Sequence, residues 1–531
     1  MDSPFSDILR TNTVPSDREC QQIRQSLEDP LQQLVQLDQE IARLEKLLYV
    51  AYQKRDDLHS FTDAHLALLS PARRLPDDIV RAVFLASLPE HRNPAISWQE
   101  SPLLLGQICS AWRHIALETP RLWVSIHIAV PDEGKVSRLT DQVGAWLRRS
   151  GAVPLNISLG FSKAAFADAN TDSGCDISPL LSVLLAECHR WSRIHLIFTD
   201  SPSYSPICML DPEAVPLLRS FSVEFRPRNP VIALLAPQNI QSDSNPVWRL
   251  LGANNLQSLT IPGSEIYLRA PIVWRNLKHL SILRYLRRGI TNDIALGILS
   301  RCPLLETCKL YIVRANHAAS ISYSRPQQIS LPFLTELTVL NEERTSLLDG
   351  ATQLFKDLTL PILRSFHSQG LIRPGQIPFP RQQIFPNELH MLEYLHVDLG
   401  NLPTELLIEI LSETPALREL SISSEPHTQD LNFLIHLMPT AETPQPPCPQ
   451  LQMLKLAGFQ ALPDETLLQF IQSRLHSPLS RVVCDFQRGI QLDIMAVPEI
   501  QEAVAAGLKV DLTYLEMPAA YSALEGTQDY V

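Results

Sequence analysis

A pattern of apolar residues, L-x-x-L-x-L, constrains the fold of this chain more than any other feature of its sequence. It recurs ten times between residues 150 and 531, and its first anchor usually lies two residues after a proline. Successive first anchors are 27, 38, 21, 28, 29, 29, 29, 25 and 34 residues apart, and three equal spacings in a row indicate a structural repeat. The ten first anchors are Trp191, Leu218, Leu256, Leu277, Leu305, Leu334, Leu363, Leu392, Leu417 and Leu451.

The segments between the repeats indicate helices. Residues 291–299 open with Thr291, a favourable helix N-cap, and carry an apolar stripe. Residues 403–411 and 463–471 begin with a proline and follow the same pattern. Short strands that alternate with helices or irregular returns predict an α/β fold with parallel strands. Near the end, residues 499–507 predict a helix and residues 508–514 a strand that caps the array.

The period and the leucine pattern resemble those of leucine-rich repeats. The resemblance implies an irregular leucine-rich-repeat solenoid whose parallel strands line its concave side. Such repeats place an asparagine or a cysteine eight residues after the first anchor, but all ten units lack it, and the positions hold residues such as Glu342, Gly400 and Phe459. Other groups must therefore satisfy the loop backbone there. A non-repeat α/β domain is the alternative.

Residues 17–60 predict a long polar helix with a heptad repeat of apolar residues. The repeat spans about three and a half heptads, although Arg55 occupies its fourth a position and Pro30 is expected to limit it at the front. We expect either a short coiled coil, which pairs two chains through residues 31–58 or docks another partner, or a helix that folds back on its own domain. The a positions hold Leu34, Ile41 and Leu48, and the d positions hold Leu37, Leu44, Ala51 and Leu58.

Residues 71–125 predict a small helical module. Pro76, Asp77 and Asp78 suit the first turn of a helix, because a proline loses nothing there and the carboxylates lie at the positive end of the helix dipole. A second amphipathic helix is predicted over residues 103–116. A unit this small has more apolar surface than it can bury by itself, and the exposed remainder indicates a partner.

These residues resemble an F-box. The resemblance rests on three blocks: LPDDIVRAVF (residues 75–84), ICSAWR (108–113) and PRLW (120–123). It implies a module that docks on the Skp adaptor of a cullin–RING ubiquitin ligase. The spacing departs from the compact motif, because Cys109 follows Leu75 by 34 positions and residues 89–94 predict a loop. A helical subdomain enclosed within the protein is the alternative. The residues that match adaptor contacts are Leu75, Pro76, Ile79, Val83, Ile108, Cys109 and Trp112.

The register of the repeats also predicts which side chains leave the core. Every second strand residue points to the opposite face of a sheet, and here that face carries mixed charges and occasional aromatic residues. Such a surface suits recognition of a protein, in which a few large side chains dominate the binding energy. The candidate target-binding residues are Tyr311, Tyr394, His396, Asp398 and Lys455.

Composition argues against several classes of function. Lys plus Arg number 45 against 57 Asp plus Glu, a net charge of −12 that disfavours binding of nucleic acid through its phosphates. Nine scattered cysteines without a CxxC pair predict free thiols in a reducing compartment. No apolar run suits a membrane span and the first residues do not resemble a secretory signal, so we expect a protein of the cytoplasm or nucleus. No catalytic, metal or cofactor motif is found. Gly134 and Lys135 do not form a phosphate-binding loop, because the other residues of that motif are missing.

Together these features predict three domains: a coiled-coil helix (residues 1–66), an F-box-like helical domain (67–130) and a leucine-rich-repeat-like solenoid with a C-terminal cap (131–531). The resemblance implies a non-catalytic substrate receptor of a ubiquitin ligase, which needs no cofactor, binds the adaptor through its second domain and binds a protein target through its third. The alternatives are an F-box scaffold that acts with the adaptor outside a ligase, a coiled-coil structural protein, and an enzyme on an irregular α/β fold.

Overall fold

The computed structural model describes most of the predicted elements. It covers residues 4–9, 11–130, 136–161, 176–198, 205–225, 248–263, 265–284, 289–313, 328–341, 354–371, 385–400, 402–423, 433–439 and 446–515. Gly134, Lys135 and Glu342, which the sequence singled out, lie outside the described residues. The chain forms two compact units, Met1–Val83 and Phe84–Val531, and the boundary between them falls inside the predicted domain 67–130.

A long helix, α1 (Asp17–Leu69), dominates the first unit. Its start is capped, because the Ser16 hydroxyl accepts a hydrogen bond from the Glu19 N–H at 3.4 Å and the Ser16 N–H donates to the Glu19 carboxylate at 2.8 Å. The helix predicted over residues 17–60 is confirmed as α1, which continues through Pro30 and is 53 residues long in all. A proline removes one backbone hydrogen bond, and water can satisfy the freed carbonyl on an exposed helix. No residue of α1 is buried.

The predicted helix over residues 103–116 is divided in two. The helix α2 (Asp77–Ala86) begins at the two aspartates as predicted and contains the boundary between the units. In the second unit, α3 (Leu105–Ile108) and α4 (Ser110–Leu117) are separated by Cys109, whose backbone is extended at φ −159° and ψ 168°. Its Sγ accepts a hydrogen bond from the Trp112 N–H at 3.4 Å. The prediction of one helix is wrong because Cys109 caps the start of a new one.

Fourteen strands form one parallel sheet in the second unit, so the protein is an α/β protein with a long N-terminal helix. The strands lie side by side in chain order, except that β8 and β10 pair with each other instead. The strands are β1 (Ser125–Val130), β2 (Leu155–Phe161), β3 (Trp191–Phe198), β4 (Ser220–Phe225), β5 (Ser258–Pro262), β6 (His279–Leu283), β7 (Thr307–Ile312), β8 (Ile329–Ser330), β9 (Glu336–Asn341), β10 (Leu358–Thr359), β11 (Ser365–Leu371), β12 (Tyr394–Gly400), β13 (Glu419–Ile422), β14 (Met453–Phe459), β15 (Arg481–Phe486) and β16 (Lys509–Tyr514).

Helices occupy the returns between the strands. The other α-helices of the described residues are α5 (Val136–Arg149), α6 (Ser178–Ala186), α7 (Ser205–Cys208), α8 (Glu265–Leu268), α9 (Asn292–Leu299), α10 (Thr404–Ser412), α11 (Phe433–His436), α12 (Asp464–Ser473) and α13 (Pro498–Ala505). Short 3₁₀ helices lie at Pro71–Arg74, Pro120–Leu122, Cys188–Arg190, Pro212–Ala214, Arg249–Gly252, Trp274–Asn276, Phe355–Asp357 and Ile494–Ala496. The three predicted return helices are confirmed as α9, α10 and α12, and the predicted C-terminal helix and strand as α13 and β16.

The repeat anchors form the core on one face of the sheet. All three anchors of all ten units are buried, which confirms the predicted strand pattern. Second anchors are aligned from strand to strand: Leu280 with Cys308, Cys308 with Leu337, and Leu337 with Phe366. Each strand is therefore stabilised by apolar contacts with its neighbours, at about 25 cal/mol per Å² of apolar area removed from water. The strands β1, β2, β15 and β16 extend the sheet beyond the ten units, so it begins before residue 131.

The predicted loop in the helical module lies along the first edge of the sheet. The Pro94 carbonyl accepts a hydrogen bond from the His127 N–H in β1 at 2.7 Å, and Ala95 forms a parallel bridge with His127. Arg92 and Glu100 brace the loop through paired hydrogen bonds of 2.9 and 2.5 Å. The loop thereby covers backbone groups of an edge strand, which otherwise could pair with another chain.

Buried arginines satisfy backbone carbonyls in two of the returns. Arg474 is 2% exposed, and its guanidinium donates to the carbonyls of Leu437 and Pro447, both at 2.6 Å. Arg190 is also buried and donates to the Val153 carbonyl at 2.8 Å. Each guanidinium satisfies loop carbonyls from the interior, because a planar group with five donors can reach several carbonyls at once.

A buried carboxylate connects α12 to the last strands. Asp464 is fully buried, forms an ion pair with Arg488 at 2.5 Å and accepts a hydrogen bond from the Tyr514 hydroxyl in β16 at 3.2 Å. Burial by itself would raise the pKa of Asp464, but hydrogen bonds from Arg488 and from the N–H groups of Leu492 and Gln491 outweigh burial and lower it. The charged carboxylate is therefore the form that holds the end of the sheet.

Replacement of Arg474 with methionine leaves buried carbonyls without a donor. We expect Arg474→Met to lower the free energy of unfolding by about 3 kcal/mol, measured by denaturant unfolding followed by circular dichroism. The control is Arg364→Met, because Arg364 is 56% exposed in its ion pair with Glu393 and such pairs contribute about 0–1 kcal/mol. Equal stabilities of the two variants would contradict the role given to Arg474.

Candidate interaction surfaces

The first candidate surface comprises apolar residues just before and within α2, in the first unit. Leu75, Ile79 and Val83 are 40%, 46% and 47% exposed, and Pro76 is exposed as well. Ile79 and Val83 are one helical turn apart and share a side of α2, whereas Val80 is buried. The side chains that helical periodicity places together on one side of α2 are therefore in contact with solvent.

The second unit contains the other residues that match adaptor contacts. Ile108 is 55% exposed, whereas Cys109 and Trp112 are partly buried. The Trp112 ring meets the fully buried Phe84 edge-on, with 5.0 Å between the ring centroids, so Trp112 supports the core of the module. Leu104 is also exposed, and sequence reasoning missed it, although its spacing of four residues from Ile108 is the signal that would have found it.

Leu122 and Trp123 of the block PRLW belong to the core. The Trp123 Nε1 donates to the Ala116 carbonyl at 2.8 Å, and the Trp123 carbonyl accepts from the Trp146 Nε1 at 3.0 Å. The two indole rings meet edge-on at 4.9 Å, and the Arg149 guanidinium lies 4.6 Å from the Trp123 ring. These contacts fix the end of α4 against α5 at the start of the sheet.

The second candidate surface is the face of the sheet opposite the anchors, which we call the polar sheet face. It includes four of the five predicted target-binding residues: Tyr394 is 44% exposed, Lys455 is exposed, and His396 and Asp398 are half-buried. They lie close together because β12, β13 and β14 are neighbours. One row of aligned residues is Glu336, Ser365, Tyr394, Glu419 and Met453, and the next is Thr338, His367, His396, Ser421 and Lys455.

Two imidazole rings meet on the polar sheet face. The ring centroids of His367 and His396 are 4.1 Å apart, and the His396 Nε2 lies 3.2 Å from the Ser423 hydroxyl. Burial, with the neighbouring His396 and Lys309, lowers the pKa of His367 to about 4. Burial also lowers the pKa of His396, although Asp398 opposes this. Both rings are therefore neutral at pH 7 and offer hydrogen-bonding groups rather than charge.

Tyr311 does not contribute to the polar sheet face. The expectation that it is available to a partner is wrong, because its side chain is 6% exposed. The Ile290 N–H donates to the Tyr311 carbonyl at 3.0 Å, and the segment that contains Ile290 passes close to the ring. A Cβ atom added at Gly289 would lie 2.7 Å from a ring carbon of Tyr311, so the glycine permits this approach.

A shallow groove of about 310 Å³ crosses the polar sheet face between β5 and β9. Hydroxyl groups of Thr260, Ser281 and Thr307 line it together with Lys309 and Glu336. The groove is polar and open, which suits contact with a protein surface better than enclosure of a small molecule. The described residues contain no group of three or more His, Cys, Asp or Glu that could hold a metal ion, and none of their helices is long and apolar enough to cross a membrane.

The buried cysteines are poor nucleophiles. Burial raises the pKa of Cys302 to about 12 and that of Cys448 to about 11, so both thiols stay protonated at neutral pH. Cys308 is buried at an anchor position, as its place in the repeat predicts. The free cysteines of the described residues include Cys20, Cys109, Cys188, Cys302, Cys308, Cys448 and Cys484.

Comparison with known proteins gives no identification, because no family model matches the chain and no curated protein matches its sequence. Two features of the described residues bear on function: apolar residues exposed on small helices, and a polar sheet face with an exposed tyrosine.

We expect His367 to titrate far below an ordinary histidine. An NMR titration of labelled histidines should give a midpoint near its pKa of about 4. This value is below the unfolded value of about 6.5, so the unfolded chain binds the proton first. His367 therefore lowers the stability of the fold as the pH falls from about 6.5 to about 4. His396→Gln should raise the His367 midpoint, whereas His279→Gln should leave it unchanged. A His367 midpoint near 6.5 in the wild type would contradict the packing described for this pair.

Proposed function

We propose that this protein is the substrate-recognition subunit of a Skp–cullin–F-box ubiquitin ligase in the cytoplasm or nucleus. Residues 67–130 are an F-box that binds the Skp adaptor, and the repeat array is an irregular leucine-rich-repeat solenoid that binds a protein target. Other subunits supply the chemistry, and this chain contributes proximity. The observation that carries the proposal is the exposure of Leu75, Ile79 and Val83, which match the F-box.

Exposure of these side chains supports binding of a partner, because other apolar residues of the module are buried. Phe84 and Trp123 are buried in the second unit, so the module has a packed core. Ile79, Val83 and Ile108 remain in water, and covering such side chains with a partner gains about 25 cal/mol per Å² of apolar area. Apolar side chains that stay exposed on the helices of a folded protein are typical of an interaction site.

The polar sheet face supports recognition of a protein target. Tyr394 supplies an exposed aromatic ring, a residue type that often dominates the energy of protein interfaces. The neutral rings of His367 and His396 can accept and donate hydrogen bonds, while Asp398 and Lys455 supply both signs of charge. Mixed charge of this kind favours specificity, since a wrong partner would place like charges together.

Binding of the adaptor tests the first part of the proposal. We expect Ile79→Asp in the full chain to weaken binding of a purified Skp adaptor by at least about 30-fold, because a charge replaces a central apolar contact. Surface plasmon resonance measures the affinity. Phe333→Asp is the matched control, since Phe333 is an exposed apolar residue outside the module and its replacement should leave binding unchanged.

Equal affinities of wild type and Ile79→Asp would overturn the docking assignment. Reconstitution with the cullin separates the ligase from the scaffold alternative. A wild-type protein that binds the adaptor but never enters a cullin complex would overturn the ligase role and leave the scaffold.

Target capture tests the second part. We expect Tyr394→Ala combined with Lys455→Glu to lose at least one protein that wild type retains in affinity capture with mass spectrometry, while adaptor capture is unchanged. The charge-matched control is Lys356→Glu, because Lys356 is exposed in a return and lies off the polar sheet face. Identical protein sets for all three chains would contradict target binding by this face.

A further inference from the structure

The heptad positions of α1 form an apolar stripe that no described residue of the first unit covers. Its leucine and isoleucine side chains are each more than half exposed. Residues 34–58 span about 36 Å at 1.5 Å per residue, so the stripe is long for an isolated helix in water. Its exposed members on the a and d positions are Leu34, Leu37, Ile41, Leu44, Leu48 and Leu58.

We propose that a second copy of this chain covers the stripe, with the two α1 helices antiparallel and centred on Lys46. This inference goes beyond the proposed ligase role and does not depend on it. The heptad itself indicates the centre, because reversal about residue 46 brings every a position between 34 and 58 opposite a d position. The resulting layers are Leu34 with Leu58, Leu37 with Arg55, Ile41 with Ala51, and Leu44 with Leu48.

Charge argues against a parallel pair. In a parallel coiled coil each a residue meets the same residue of its partner, so Arg55 of each copy would face Arg55 of the other inside the seam. The flanking g and e positions would also place Glu40 against Glu45 on both sides. Three like-charge contacts in so short a seam disfavour that arrangement.

The antiparallel arrangement removes most of this repulsion. Glu40 then lies opposite Lys54 of the second copy, and this attractive pair occurs twice. Arg55 lies over Leu37, where its apolar stem can pack and its guanidinium can reach the neighbouring Asp38. One like-charge contact remains, between the two Glu45 residues at the centre. The balance of charge therefore selects a second copy in the antiparallel orientation.

Mixed disulfides between cysteine variants test the orientation in the full chain. Leu34→Cys and Leu58→Cys proteins, mixed in equal amounts and mildly oxidised, should give a disulfide between positions 34 and 58, identified by peptide mass spectrometry. Leu34→Cys by itself should give no disulfide between two copies of position 34. A 34–34 disulfide as the main product would overturn the antiparallel arrangement.

Sedimentation over a range of protein concentrations tests whether a second copy of the chain covers the stripe. Wild type should form a reversible dimer, and Leu44→Lys should raise its dissociation constant by at least about 30-fold, because the symmetry places the change in two layers. Val50→Lys is the control, since Val50 is exposed but lies off the seam. Circular dichroism checks that all variants remain helical. A wild type that stays monomeric at every concentration, or a Leu44→Lys dimer as tight as wild type, would overturn the proposal.

Discussion

The alignment of buried anchors from one parallel strand to the next is the constraint on which the rest of the structure depends. Because side chains alternate along a strand, burial of Leu395 and Val397 obliges Tyr394, His396 and Asp398 to lie on the other face. A slip of one residue in any strand would exchange the two sets and expose the core. The same apolar contacts that stabilise the sheet therefore also compose the surface proposed to bind a target.

Much of this fold could be predicted because it repeats. The ten units, their return helices and the final helix and strand all carry local periodicity that a single sequence displays. The strand β15 carries the pattern as well, as Leu479, Val482 and Cys484, but it was not predicted. The break at Cys109 and the carbonyl contacts of Arg474 could not be predicted, because a thiol cap and a long-range hydrogen bond leave no periodic trace.

Some residues of the candidate surfaces could likewise be predicted from the sequence, and others could not. Helical spacing was sufficient to predict that Ile79 and Val83 share a side of α2, whereas their exposure was implied only by the resemblance to an F-box. It could not show that Tyr311 is covered, since that depends on how closely the segment at Gly289 approaches the neighbouring strand. His367 was within reach of the sequence, because it lies between the buried anchors Phe366 and Ser368 and must therefore face outward.

The two edges of the sheet are not equivalent. Residues of the helical module cover β1, whereas within the described part of the chain no strand lies on the outer side of β16. A duplicated unit added after β16 would meet backbone groups that pair with no described strand. A unit added in front of β1 would have to displace the loop that joins α2 to α3 from the edge of β1. Through gene duplication, such an array therefore lengthens with less disruption of the described residues beyond β16 than ahead of β1.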